Sequence, residues 1–213
     1  MSLKQSKLKE FRDSYDRQIC MQEFYLDGKE EGEYKSWYDN GQLREQRFYR
    51  NGKSEGEHKW WYENGQLGMQ ASHRNGELDR EYKLWYRNGQ LEIRKFYRNG
   101  KLEGECKLWY ENGRPREYEF YRDRKLEGEY KSWYRNGQLG EQRFYRNGER
   151  EGEYKSWYEN GQLEIQKFYR NGELIAKFTI KMKWKIIRIK KMIQNRAIPR
   201  LENTLIFDLV KIV

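Results

Sequence analysis

Proline, cysteine and histidine each occur only twice in this chain of 213 residues. No run of about 18 uncharged apolar residues exists in it, so no membrane-crossing helix is expected. The first ten residues, Met1 to Glu10, lack the apolar core of an export signal. Cys20 and Cys106 form no Cys-x-x-Cys pair and no ligand spacing, which excludes a zinc site and points to a reducing setting. The expected location is therefore intracellular: cytoplasmic, or within a larger assembly.

Chemistry is equally scarce. His58 and His73 occupy positions that other segments fill with Tyr, and Ser36, Ser132 and Ser156 recur with no histidine beside them. Gly52-Lys53-Ser54 resembles the end of a phosphate loop, but Arg47 stands where the first glycine belongs and no helical pattern follows. No acidic cluster has calcium-loop spacing, and no His/Cys set suits zinc. The sequence predicts no catalytic residue, no cofactor, no metal and no small-molecule substrate.

Aromatics make up 16% of the chain, so burial falls to Tyr, Trp and Phe more than to Leu, Ile and Val, which favours strands. With 19 Gly against so little proline, the turns are of the kind that need positive φ. From Gly32, the segment Gly-Glu-Tyr-Lys-Ser-Trp-Tyr-Asp-Asn-Gly-Gln-Leu-Arg-Glu-Gln-Arg-Phe-Tyr-Arg-Asn-Gly recurs every 24 residues without insertion. Its first glycine returns at Gly56, Gly104, Gly128 and Gly152, and Arg80 replaces it once. Six copies reach Ile175, and a half copy containing Phe24-Tyr25-Leu26-Asp27-Gly28 precedes them. An active site needs one asymmetric constellation, whereas carboxylates here recur at Glu33, Glu57, Glu81, Glu105, Glu129 and Glu153.

Each unit holds two Asn-Gly dipeptides, as at Asn40-Gly41 and Asn51-Gly52, and both predict type I′ hairpin turns. The runs between them are too short for stable helices. The expectation is an all-β fold: an elongated, twisted antiparallel meander of tandem hairpins with about 13 strands, two per unit. Alternation places Tyr34, Ser36, Tyr38, Leu43 and Tyr49 on one face and Trp37 and Phe48 on the other. Aromatics on both faces predict a thin sheet covered by the stems of charged side chains. With two-residue loops, residue i would align with i+22, yet the chemistry repeats at i+24. Either the sheet shears, or one loop is longer, and Lys53-Ser54-Glu55-Gly56 is the better place for a longer loop or bulge. Ser72-His73, Pro115 and Asp123-Arg124 depart from the pattern.

The segment Gly152 to Leu174 resembles the MORN repeat variant of bacterial proteins described as antitoxin-like and of large DNA viruses, over about residues 18–175. The resemblance implies antiparallel hairpin repeats with roles in protein contact or peripheral membrane attachment, and it brings no catalytic residues. Glycines are sparser beside the first aromatic than in the MORN pattern. Three parts follow: residues 1–17 as an N-terminal cap or disordered segment, 18–175 as the array, and 176–213 as a basic, apolar cap or anchor of mixed strand and helix.

The formal charge of +10 is unevenly placed, because residues 176–213 hold ten Lys or Arg against two acids and so leave about +2 for the rest. Phe178, Ile180, Met182, Trp184 and Ile186 alternate with polar residues like a half-buried strand that caps the last repeat. The leading expectation is a structural or adaptor protein that contacts a protein partner or self-associates, with Trp37, Trp61, Trp85, Trp109, Trp133 and Trp157 as contact residues. The alternative is peripheral binding to anionic membrane or nucleic acid through Lys181, Lys183, Lys185, Arg188, Lys190 and Lys191.

Overall fold

The computed structural model describes residues 6–12 and 19–179, and every regular element among them is a β-strand. They divide into two compact units, one reaching Pro115 and including Tyr121–Arg124, the other comprising Arg116–Phe120 and the residues from Lys125 onward. The first unit holds β1 (Ser6–Arg12), β2 (Ile19–Leu26), β3 (Lys29–Glu30), β4 (Gly32–Trp37), β5 (Leu43–Arg50), β6 (Lys53–Trp61), β7 (Leu67–Arg74), β8 (Glu77–Trp85), β9 (Leu91–Arg98) and β10 (Lys101–Trp109). Next come β11 (Pro115–Arg122), through which the division runs, and β12 (Lys125–Leu126). The second unit continues with β13 (Gly128–Trp133), β14 (Leu139–Arg146), β15 (Glu149–Arg150), β16 (Gly152–Trp157), β17 (Leu163–Arg170) and β18 (Glu173–Thr179).

Within each unit the strands pair antiparallel in chain order, as hairpins must when their connections are this short. β1 pairs with β2 ahead of the repeats. The eighteen described strands exceed the expected 13 for two reasons: β1 and β18 are additional, and β3/β4, β12/β13 and β15/β16 are each one repeat strand interrupted. The tail strand expected beyond Thr179, the basic helix after it and the cationic residues from Lys181 to Lys191 lie outside the described residues.

The register settles how the 24-residue period is accommodated. Lys35 faces Gln46 and Gln46 faces Lys59, so residue i meets i+24 two strands away and the sheet does not shear. The two additional residues are absorbed after the second turn: Tyr49 pairs with Ser54, yet Arg47 pairs with His58. Glu55, Gly56 and Glu57 therefore stand opposite Phe48 alone, with Gly56 at φ +80°. The same bulge recurs between Ala71↔Tyr82 and His73↔Leu78. It also interrupts the strands that are split in two.

The two turns are not alike, and one expectation fails. Asn51 and Gly52 have φ of 51° and 75°, as a type I′ turn requires. At Asn40-Gly41 only the glycine has positive φ, Gly41 N donates to the Tyr38 carbonyl, and Tyr38 N donates to the Gln42 carbonyl. That is a three-residue loop built on a type I turn with a left-handed glycine. The Asn40 side chain braces this loop from within, its Oδ1 accepting from Gln42 N at 3.0 Å.

The faces follow the register. Tyr34 and Tyr49 meet edge to face at 6.5 Å between ring centres, and Ser36 is buried in the same row. Phe48 stands opposite Glu33 on the other face. Leu43 departs from its expected row, because Ser36 pairs with Glu45 whereas Trp37 pairs with Leu43. Arg44 is an additional residue in β5, and its bulge carries Leu43 opposite the tryptophan. The core is thin: among the described residues, Ala71, Cys106, Tyr130 and Tyr169 are the buried apolar ones, accompanied by Ser36, Asp79 and Ser156.

Candidate functional site

The recurring polar residues are engaged in bonds within a repeat and in bonds to the next repeat. On the Phe48 face, Lys35 Nζ bonds Glu33 Oε2 at 2.7 Å and Gln46 Nε2 bonds Glu33 Oε1 at 2.5 Å, so both carboxylate oxygens are occupied. Glu57 and Glu129 repeat the arrangement with Lys59 and Gln70, and with Lys131 and Gln142. Burial pushes the Glu33, Glu81 and Glu129 carboxyls up, but their partners, a lysine and a glutamine for Glu33 and Glu129 and Lys83 with Arg94 for Glu81, hold each below the usual carboxylate range. These groups are charged structural braces, which leaves them poorly suited to acid or base work.

Both edges of the array are laddered too. At the type I′ edge, Asn51 N donates to Glu31 Oε2 at 2.7 Å and Gly52 N donates to the Glu30 carbonyl at 2.8 Å. The preceding unit's bulge thus caps the turn, and Glu55 and Glu127 serve Asn75 and Asn147 in the same way. At the opposite edge, Tyr38 Oη donates to the Trp61 carbonyl at 2.7 Å and Asn40 Nδ2 to the Glu63 carbonyl at 3.2 Å. Tyr62, Tyr86 and Tyr134 repeat the bond to Trp85, Trp109 and Trp157.

The six tryptophans, Trp37, Trp61, Trp85, Trp109, Trp133 and Trp157, each end a strand and are half-buried. Register sets leucines opposite five of them, at Leu43, Leu67, Leu91, Leu139 and Leu163. Within each compact unit the tryptophans recur at the same strand end, with rings partly accessible.

One stretch, from His58 to Arg94, concentrates the departures. His58 and His73 replace the tyrosine pair of other units, with ring centres 5.7 Å apart. His58 Nε2 lies 2.9 Å from Glu45 Oε1, and Arg47 Nε lies 3.2 Å from the same oxygen. The Glu45 carboxyl is held low, first by the His58 bond and then by Arg47, against the effect of burial. Burial lowers the His73 pKa, aided by the positive charges of His58 and Arg47, and its Nδ1 is buried without a partner. On the other face, a cavity of about 240 Å³ opens beside Ser72, which stands where the other units carry Phe. Along the sequence these residues look like drift. Their clustering emerges only when the units are aligned column by column and the adjoining columns are known.

Among the described residues, no group of three or more His, Cys, Asp or Glu side chains converges to hold a metal ion. No helix there is long and apolar enough to cross a membrane, a statement that leaves β-barrels aside.

No curated protein matches this chain. Among solved structures, a Bacteroides fragilis protein of unknown function aligns over 83% of this chain and 92% of its own at 13% identity, with a TM-score of 0.14, too low to carry any argument. The repeats themselves are specific. The model of the MORN repeat variant matches six times, at residues 30–52, 54–75, 78–99, 102–123, 126–147 and 150–171, without extending to an antitoxin-like or viral grouping. With most of its length in six tandem matches, this chain belongs to the MORN repeat variant family.

Proposed function

We propose that the chain is a non-catalytic structural or adaptor protein whose array makes protein–protein contacts. The observation that supports this reading most directly is how the recurring polar groups are used. Glu33 and its equivalents are bonded within a repeat and Tyr38, Asn40 and theirs to the next repeat, so these recurring polar groups are committed to the array. The braced repeats, each with a half-buried tryptophan, then serve as presenting surfaces, with Trp37, Trp61, Trp85, Trp109, Trp133 and Trp157 as contact residues. MORN repeats are generally associated with protein or membrane binding, which agrees with this reading.

Affinity capture and crosslinking of the full chain, beside a form lacking residues 176–213, test it. The array is expected to retain a protein partner or a second copy of itself in both forms. Absence of both from both forms would overturn the proposal.

A second reading rests on the net charge of +8 in residues 176–213. It predicts binding to vesicles containing anionic lipid, or to duplex DNA, that weakens with salt and disappears when those residues are removed. Undiminished binding after the deletion would refute this placement.

A further inference from the structure

Three departures from the repeat, on successive strands, fall close together on the Phe48 face. Position 72 carries Ser where Phe24, Phe48, Phe96, Phe120, Phe144 and Phe168 stand in their units. Position 80 carries Arg where five units carry Gly, and position 94 carries Arg where Gln46, Gln70, Gln142 and Gln166 stand. The backbone explains why the first two belong together. A Cβ built on Gly32 would approach the Phe24 Cβ at 3.8 Å and one on Gly104 the Phe96 Cβ at 3.7 Å, whereas Gly56, Gly128 and Gly152 have open space there. The equivalent pair is Arg80 and Ser72, and the two line one cavity.

Loss of the phenyl ring opens the cavity of about 240 Å³, lined by Glu57, Gln70, Ser72, Arg80, Glu81 and Lys83. Its two carboxylates are engaged on both oxygens. Glu57 is held by Lys59 at 2.6 Å and Gln70 at 2.5 Å, and Glu81 by Lys83 and Arg94, each at 2.6 Å. Arg80 is exposed and has no carboxylate within ion-pair distance among the described residues. Arg80 and Lys83 line the hollow with Glu57 and Glu81; Lys83 pairs with Glu81 and Glu57 with Lys59 from outside the lining, which leaves the Arg80 guanidinium as the charge of the lining without an opposite partner among the described residues. Arg80 also sits at φ +70°, a backbone conformation that glycine adopts without cost and arginine does not. The chain carries strain at the one position where glycine would remove both the strain and the free guanidinium.

We propose that this hollow is a socket for a carboxylate, carried on an acidic segment of a protein partner and gripped by the Arg80 guanidinium. The inference rests on the protein-contact reading above and supplies a chemistry for that contact. Charge complementarity selects the occupant: the donors of Arg80 have no carboxylate partner among the described residues, whereas both carboxylates of the socket already face a cation each.

The test uses the full chain and a hexaglutamate peptide, followed by residue-resolved amide NMR so that binding at the basic tail is seen separately. Shifts at Ser72, Arg80 and Lys83 are expected to saturate with peptide. Arg80→Gly and Ser72→Phe each restore the residue that the other units carry, so folding is preserved, and each is expected to weaken those shifts at least tenfold. Arg80→Gly is also expected to melt at a higher temperature. Shifts confined to the tail, or equal shifts in both variants, would overturn the socket. Succinate distinguishes the source: if it saturates the site as tightly as the peptide, the partner-borne occupant is wrong. Equal capture of a partner by wild type and Arg80→Gly, without socket shifts, would remove the socket and leave the protein-contact reading standing.

Discussion

Trp60 stands where Ser36, Ser132 and Ser156 stand in their units, and Gly68 stands where Arg44 does. The two are coupled, because a Cβ on Gly68 would lie 2.2 Å from the Trp60 ring. Replacing Gly68 by Glu, which Glu92 and Glu164 show to be acceptable in other units, is expected to cost about 2 kcal/mol through overpacking. Adding Trp60→Ser should recover most of that loss in urea unfolding, and strictly additive effects would contradict the coupling. The histidine pair makes a prediction about pH. Burial holds the His73 pKa below its ordinary value, so the unfolded chain takes up the proton first as pH falls. The stability that neutral His73 contributes is intact above the unfolded value of about 6.5 and is lost as pH drops from there through the folded value. Urea midpoints should therefore fall between about pH 7.5 and 5, a window above the ordinary carboxylate range, and fall less in His73→Tyr. A variant with the wild-type slope would show that His73 is not responsible. Neither coupling was legible in the sequence, where Trp60, Gly68, His58 and His73 each look like a separate accident. Adjacency across the sheet is what makes them pairs.

At the scale of the hairpin, the sequence was more informative. The period, the position of both turns and the place of the longer connection all follow from Asn-Gly and from the glycine ending Lys53-Ser54-Glu55-Gly56. Two things did not follow. Asn40-Gly41 and Asn51-Gly52 are the same dipeptide, and only the backbone bond from Tyr38 N to the Gln42 carbonyl separates a three-residue loop from a two-residue one. Leu43 was misplaced because simple alternation cannot anticipate the bulge at Arg44. The backbone of the second hairpin has a measurable cost of its own. Gly56 has open space where a Cβ would go, so Gly56→Ala should destabilise through its φ of +80° alone, by about 1 kcal/mol. Arg124 presents the opposite case, an arginine at φ +65° in the glycine place of a type I′ turn. Arg124→Gly should therefore stabilise by about 1 kcal/mol in the same assay, and a loss of stability would mean that the arginine side chain outweighs its backbone strain.

At the scale of the molecule, the bonds that join repeats among the described residues reach from one repeat to the next. Tyr38 Oη meets the Trp61 carbonyl and Asn40 Nδ2 meets the Glu63 carbonyl, while Glu31 caps the turn at Asn51. Within the first compact unit each strand packs mainly against its neighbours in sequence, from β1 through β10. Stability in such an array is a chain of local terms, with no shared core to spread a defect. Tyr38→Phe isolates one of these terms, since it removes a single interunit bond and leaves the half-buried Trp61 carbonyl without its donor, a loss of about 1 kcal/mol. Amide exchange should then quicken in Gly32–Trp37 and Lys53–Trp61, on either side of the broken bond, while Lys101–Trp109 in the same compact unit keeps its protection. A uniform loss of protection from β2 to β10 would mean that the first unit unfolds as one cooperative body. In that case the capping, laddering and bulge contacts would act through a common core, and the thinness of the buried set around Ala71 and Cys106 would not limit how far a defect spreads.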